Sequence, residues 1–184
     1  YNSDRDNFYL SVCRLVPNKG VEIIVKAFNQ LNLPLVIVGD GPEINFLKRI
    51  SKPNIKIMGR VKDHELKSLM SKCRCFLYCG VEDFGIAPVE AMASGSPVIA
   101  YAKGGILDTI KCINNVNNED FATGILFNNQ SSNDLYQLVS WFEDKKLWRK
   151  FDSQIINEYS KKFSTENFTH NFENFLEKAV FNFN

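Results

Sequence analysis

The sequence predicts an α/β domain built on a doubly wound, six-stranded parallel sheet. Three observations carry that prediction. Short runs, nearly continuous in apolar and β-branched residues as strands covered on both faces should be, recur through the first two thirds of the chain. Between them lie longer segments whose apolar residues follow the helical period, which is the alternation of βα units around a parallel sheet. The chain has 184 residues, 45% of them hydrophobic, enough to bury one core of its own.

In order, strands are expected at residues 9–15, 35–38, 55–58, 75–79, 97–101 and 124–127. The first helix, 21–31, places Ile24, Ala27, Phe28 and Leu31 on one face, and a second, 42–50, follows Gly39-Asp40-Gly41. A third, 63–71, opens on Asp63 as a cap. After the fourth strand a short helix carries Pro88 in its first turn and stops at Gly95. Beyond Phe127 the remainder reads as helices at 133–142, 146–160 and from 165 to about 180. Phe168, Phe172, Phe175, Leu176, Ala179 and Phe183 give the last one a broad apolar face, expected to cover the sheet. The polar stretch 114–119 reads as a surface loop, and no linker divides residues 1–184.

Composition excludes several classes of function. Lys plus Arg number 22 against 21 Asp plus Glu, so there is no general electrostatic pull toward nucleic acid or an anionic membrane. No apolar run approaches the ~18 residues of a membrane span. The opening residues Tyr1 to Asp6 carry neither an initiator Met nor a signal pattern, and read as the start of a fragment. The five cysteines are odd in number and do not suggest a disulfide framework, and Cys73, Cys75 and Cys79 lack the spacing and the histidine of a zinc site. Buried free thiols in a cytoplasmic protein are expected instead.

Two segments carry chemistry. Arg14-Leu15-Val16-Pro17-Asn18-Lys19-Gly20 lies between the first strand and the first helix. In a doubly wound sheet ligands gather there, at strand carboxyl ends and helix N-termini, so Arg14 and Lys19 form a candidate diphosphate clamp. Neither a P-loop nor a Gly-x-Gly-x-x-Gly fingerprint is present. The second segment runs from Glu82-Asp83-Phe84-Gly85-Ile86-Ala87-Pro88-Val89-Glu90 to Gly95. Glu82 lies in the turn and Glu90 in the helix, so both carboxylates are expected to face one crevice and accept hydrogen bonds from vicinal hydroxyls. Gly104-Gly105 after the fifth strand would let backbone approach a ligand closely.

These segments, taken with Val38-Gly39-Asp40-Gly41-Pro42, Gly59-Arg60-Val61 and Ala91 to Val98, resemble the nucleotide-sugar half of retaining GT-B glycosyltransferases. The family is the large one with a Glu-x7-Glu element, glycosyltransferase family 4, group 1. It includes sucrose synthase and many bacterial mannosyl- and glucosyltransferases. Glu82 to Ile86 and Ala100 to Gly105 most resemble the bacterial polysaccharide mannosyltransferases. The resemblance implies a Rossmann-like domain that forms one half of a GT-B fold. It implies that Arg14, Lys19 and Glu82 are catalytic, the first two holding the donor diphosphate and Glu82 addressing the sugar together with the Phe84-Gly85-Ile86 backbone. By it Ile86 and Ala87 amides meet a phosphate oxygen, Glu90 accepts the ribose hydroxyls, and Arg60 and Val61 border the base. It implies no metal and no cofactor, a nucleotide-sugar donor (GDP-mannose first, or a UDP-sugar), and a glycan or lipid-linked acceptor held by an amino-terminal domain absent from this chain. The chain alone is then expected to be inactive. The full enzyme would work in the cytoplasm in polysaccharide biosynthesis, with peripheral association at the inner face of the membrane open to it.

The sequence departs from the family at Cys13, at Tyr78-Cys79, where small residues or Pro-Ser are usual, and at Asp108. These bear on crevice width and remove no charged contact. Asp4-Arg5-Asp6 resembles the acidic motif of metal-dependent transferases but precedes the first strand, and it is read as accidental. His64 and His170 are read as surface or packing residues. Two rival readings use the same half-fold. A sugar-nucleotide epimerase would need acid and base groups that the sequence does not offer. A non-catalytic, flavodoxin-like nucleotide-binding module would leave Arg14, Lys19, Glu82 and Glu90 unexplained. The resemblance also implies that the last helix crosses back toward the missing domain; because an exposed apolar stripe promotes association, its segment 168–176 is expected to pack on this domain and its distal part, around Phe181 and Phe183, to be frayed or engaged with a neighbouring molecule.

Overall fold

A computed structural model describes residues 5–113 and 121–182. The stretch 114–119, Asp4 and Phe183 lie outside the described residues. Six parallel strands form one sheet: β1 (Tyr9–Val12), β2 (Leu35–Val38), β3 (Ile55–Ile57), β4 (Cys75–Tyr78), β5 (Val98–Tyr101) and β6 (Gly124–Phe127), in the spatial order β3-β2-β1-β4-β5-β6. Tyr9 is in register with Leu35 on one side and Cys75 on the other. The chain winds outward from β1 to β3 and then returns to lay β4 against β1. The β1–β4 seam is therefore the switch point, where the loops leaving the two strands diverge and open a crevice.

The strand β1 stops at Val12, short of the expected residue 15. Cys13 and Leu15 still donate to Val38 O and Asp40 O, at 3.2 and 2.9 Å, but outside the regular ladder. The fully buried Leu15 belongs to the core without belonging to the strand. Strands β3, β4 and β5 are each a residue shorter than expected, with Met58, Cys79 and Pro97 left in the flanking loops.

Helices cover both faces: α1 (Val21–Leu31), α2 (Ile44–Ile50), α3 (Asp63–Lys72), α4 (Ile86–Ala93), α5 (Ile106–Thr109), α6 (Ser132–Asp144), α7 (Ser153–Ser160) and α8 (Thr165–Asn182). The periodicity of α1 is used as expected, with Ile24, Ala27 and Phe28 fully buried. The Phe28 ring meets Tyr9 edge to face at 5.0 Å, and Tyr9 continues to Phe142 of α6 at 6.3 Å. Truncating a ring at the centre of such a cluster costs about 3–5 kcal/mol. The buried Tyr9 hydroxyl donates to Glu143, whose carboxylate also takes Arg74 at 2.8 and 2.9 Å, and the Arg74 guanidinium lies over Trp148.

Three expectations need correction. The cap of α3 is Lys62, with no side-chain bond, and Asp63 is the first helical residue, its charge near the positive end of the helix. The expected helix 146–160 is broken: Lys146 adopts a left-handed φ of 51°, a 3-10 turn covers Leu147–Lys150, and Phe151 turns its ring onto Phe142. Asp152 then caps α7 by accepting from Gln154 and Ile155 N–H groups at 2.7 and 3.1 Å. The third correction concerns α8, which does not cover the sheet. Phe168, Phe172 and Phe175 are 65%, 49% and 66% exposed, so 168–176 is not packed on this domain; the Phe168 ring stacks on that of Phe172 one turn on. Among the described residues no helix is long and apolar enough to cross a membrane.

Candidate functional site

The β1–α1 loop approaches β2 so closely that only glycine fits beside it. A Cβ on Gly39 would lie 1.8 Å from Cys13 O, so the chain after β2 lies directly against the residue that precedes Arg14. The loop closes in a 3-10 turn, Pro17–Lys19, with the Lys19 N–H donating to Val16 O at 3.1 Å. Arg14 is exposed and Lys19 is half-buried.

Across the switch point β4 ends at Tyr78 and the turn 79–85 begins. Glu82 pairs with Gly104 in an isolated parallel bridge, and the Gly105 N–H donates to Glu82 O at 2.8 Å. A Cβ on Gly104 would sit 2.3 Å from Glu82 O, and one on Gly105 2.1 Å from Asp83 O. The glycine pair was expected to admit a ligand. It instead admits this turn and braces it from behind. Gln130 adds a bond to Cys79 O at 2.7 Å, and Phe84 is clasped edge to face by Phe163 at 5.7 Å. Gly85, left-handed, opens α4, so the first N–H groups of that helix, on Ile86 and Ala87, lie at its free end beside the cavity.

Arg14, Lys19, Glu82 and the turn 83–87 line one cavity of about 360 Å³, with Val12, Cys13 and Tyr78 as its floor. Within it Lys19 Nζ forms an ion pair with Glu82 Oε1, which also accepts from the Tyr78 hydroxyl at 2.8 Å. Burial pushes the Tyr78 hydroxyl up to about 12, and it pushes the Cys13 thiol, also in the floor, up to about 12 against the partial opposition of Lys19. Both groups are therefore neutral at physiological pH.

Glu90 does not join them. It lies on the exposed side of α4 and lines a separate groove of about 760 Å³ between α3 and α4, opposite Asp63, His64 and Lys67. The two glutamates of the Glu-x7-Glu element thus face different depressions at the two ends of one short helix. Arg60 is exposed beside Asp40, with Nε 4.0 Å from Oδ2, while Val61 packs against the core. His170 is exposed on α8 near Asn174.

The cysteines are free, and Cys73, Cys75, Cys79 and Cys112 are buried. Among the described residues no group of three His, Cys, Asp or Glu is placed to hold a metal ion. Sequence reasoning passed over Arg5, set aside within the acidic triplet. Its guanidinium donates to Cys73 O at 2.9 Å, Ser96 Oγ at 2.8 Å, Ser153 Oγ at 3.0 Å and Gly95 O, tying the start of the chain to the end of α4. It also passed over Tyr78, whose departure from the family pattern was the available signal.

The family model for glycosyl transferases group 1 matches residues 2–162. An uncharacterized glycosyltransferase of Methanocaldococcus jannaschii is 32% identical over 171 residues, covering 90% of this chain and 46% of the relative. A GDP-mannose-dependent alpha-mannosyltransferase of Corynebacterium glutamicum is 37% identical over 100 residues, 54% of this chain and 24% of the relative. Among solved structures, the pneumococcal O-GlcNAc transferase in complex with UDP and GlcNAc superposes with a TM-score of 0.76 over 97% of this chain and 37% of that one, at 19% identity, a likeness of fold. The chain spans less than half the length of these relatives. The sheet order, the crevice between β1 and β4 and the match over most of the chain agree, and this protein is a member of the glycosyl transferases group 1 family.

Proposed function

We propose that this chain is the donor-binding half of a retaining glycosyltransferase, that its donor is GDP-mannose, and that the full enzyme transfers mannose to a glycan or lipid-linked acceptor. The observation that carries the reading is the convergence of Arg14, Lys19 and Glu82 with the free end of α4 on one cavity at the switch point. The mannosyltransferase relative that depends on GDP-mannose supports the choice of donor, and the UDP held by the pneumococcal neighbour makes a UDP-sugar the competing one.

In this reading the diphosphate lies between Arg14, Lys19 and the N–H groups of Ile86 and Ala87. Breaking the bond between the anomeric carbon and the phosphate oxygen leaves negative charge on the diphosphate, and fixed cations and amides aimed at that charge lower the barrier by a few kcal/mol per donor. That charge is met without a divalent metal or another cofactor. Glu82 receives sugar hydroxyls beside the Phe84-Gly85-Ile86 backbone. The nucleoside runs along α4 toward Glu90, whose carboxylate accepts the ribose hydroxyls, and Arg60 and Val61, which line neither depression, border the base. The acceptor and its catalytic groups belong to the other half of the enzyme, working in the cytoplasm or at the inner face of the membrane in polysaccharide biosynthesis.

Calorimetric titration of the chain with GDP, UDP, ADP and their mannose or glucose conjugates tests the reading. GDP and GDP-mannose are expected to bind best, and a preference for a UDP-sugar would move the donor assignment. No heat with any of them would refute the donor-site reading. The chain alone is expected to transfer no sugar, so turnover on the order of 1 per second with a glycan acceptor would refute the half-enzyme reading.

A further inference from the structure

We infer that Tyr78 is a positioning residue for the donor sugar, its hydroxyl holding the Glu82 carboxylate in place while Lys19 exchanges that carboxylate for the donor diphosphate. The inference rests on the donor-site reading above and adds a role that the reading does not contain.

Glu82 Oε1 has two partners among the described residues, the Lys19 ammonium and the Tyr78 hydroxyl at 2.8 Å, and no hydrogen bond reaches Oε2. The two partners differ in kind. Lys19 is a point charge on a flexible four-carbon stem, able to swing to a stronger anion. Tyr78 is rigid, 4% exposed, at the last position of β4 with its ring held in the core. Room for its hydroxyl comes from Gly80, where a Cβ would lie 3.1 Å from the tyrosine oxygen. When a diphosphate draws Lys19 away, Glu82 keeps one bond and its orientation, with Oε2 open to a sugar hydroxyl. Without Tyr78 the carboxylate would lose its second partner at the moment the donor arrives, and it would have to be ordered again at a cost in sugar binding.

The Tyr78→Phe substitution keeps the ring and its packing and removes the donor atom alone. Affinities of the unsubstituted chain, Tyr78→Phe, Glu82→Ala and the double variant are measured calorimetrically for GDP-mannose, GDP, UDP-glucose and UDP. Tyr78→Phe is expected to weaken the nucleotide sugar ~10-fold, the loss of one hydrogen bond to a charged group. The matching diphosphate, which does not use Glu82, is expected to hold within about twofold by the same reasoning. In the Glu82→Ala background the same substitution should cost nothing further, because its effect runs through the carboxylate. Equal losses for sugar conjugate and diphosphate, no loss at all, or an undiminished loss in the Glu82→Ala background would each overturn the inference and leave the donor site standing. Failure of the unsubstituted chain to bind any of the four nucleotides would instead remove the donor reading, and this inference with it.

Discussion

Replacing Lys19 by Ala exposes the electrostatics of the cavity most directly, because the lysine is already paired before any ligand arrives. Its side chain is 18% exposed, and that of Glu82, its partner, 29%. The substitution has two consequences. It removes a charge-assisted contact to the diphosphate, typically ~1.5–3 kcal/mol. It also leaves the Glu82 carboxylate facing that diphosphate unscreened. At a separation of about 6 Å and an effective dielectric of about 40, the repulsion is ~1.4 kcal/mol. Together the two come to ~3–4 kcal/mol, roughly 100- to 1,000-fold in the dissociation constant of a nucleoside diphosphate. Arg14 is exposed, and its removal should cost about tenfold. The double variant Lys19→Ala, Glu82→Ala should bind the diphosphate about tenfold more tightly than Lys19→Ala alone, since the repulsion is gone. Calorimetry with GDP against guanosine, and UDP against uridine, reads each arm, and the nucleosides should be nearly indifferent to Lys19. Equal losses for nucleoside and diphosphate would refute the clamp. A double variant weaker than Lys19→Ala would refute the reasoning about Glu82.

Three further outcomes are expected. Gly104→Ala places a side chain at a left-handed φ of 76° and 2.3 Å from Glu82 O, so the turn must shift; the left-handed backbone alone costs ~1–2 kcal/mol, and nucleotide-sugar affinity should fall with it, whereas a variant of full stability and affinity would show that the bridge does not position Glu82. Arg5→Ala removes the bonds to Cys73 O, Ser96 Oγ and Ser153 Oγ and should cost about 3 kcal/mol, a fall of roughly 10 °C in Tm; an unchanged melting curve would refute its anchoring role. Burial raises the Cys13 and Cys73 thiols from 9.0 to about 12 and about 11. Raised pKa values favour the fold while the unfolded thiols stay protonated, so this contribution is whole below pH about 9 and is lost as pH climbs to about 12. Urea midpoints measured across that window should decline, and a Cys13→Ala, Cys73→Ala variant should decline less.

The sheet was legible because its strands are buried on both faces, which writes them as apolar runs with no alternation to misread. Where an apolar residue serves the core from a loop, the same signal overreaches, as at Leu15, buried beyond the end of β1. The break at Lys146 was illegible for a related reason. Nothing in Lys146 to Ser160 is a strong helix breaker, yet the chain leaves the helix at Lys146 and lays the Phe151 ring on Phe142. Tertiary contact overrode local propensity there. On α8 the period was read correctly and its partner wrongly, since a helical apolar stripe specifies that a face will be buried and says nothing about what buries it.

The candidate site divides along a similar line. The residue types and their order placed Arg14, Lys19 and Glu82 at strand ends, and topology alone then forced them together, because the switch point lies between β1 and β4 whatever the side chains do. Glu90 lies on the far side of a step that topology does not set. Seven residues lie between it and Glu82, and its direction depends on where α4 begins among them; with the helix starting at Ile86, position 90 faces α3 and the second groove. The glycines show the same limit from the other side. Gly104 and Gly105 announce that backbone approaches backbone, but only the fold reveals that the approaching chain is the Glu82 turn and not a ligand. The polar contact between Tyr78 and Glu82 left no mark in the sequence beyond the unusual Tyr78 itself, since two residues four apart across a strand end meet only if the turn between them folds back. A site of this kind is therefore read from sequence down to which loops hold it, and from structure for which charges are already spent on one another before a ligand arrives.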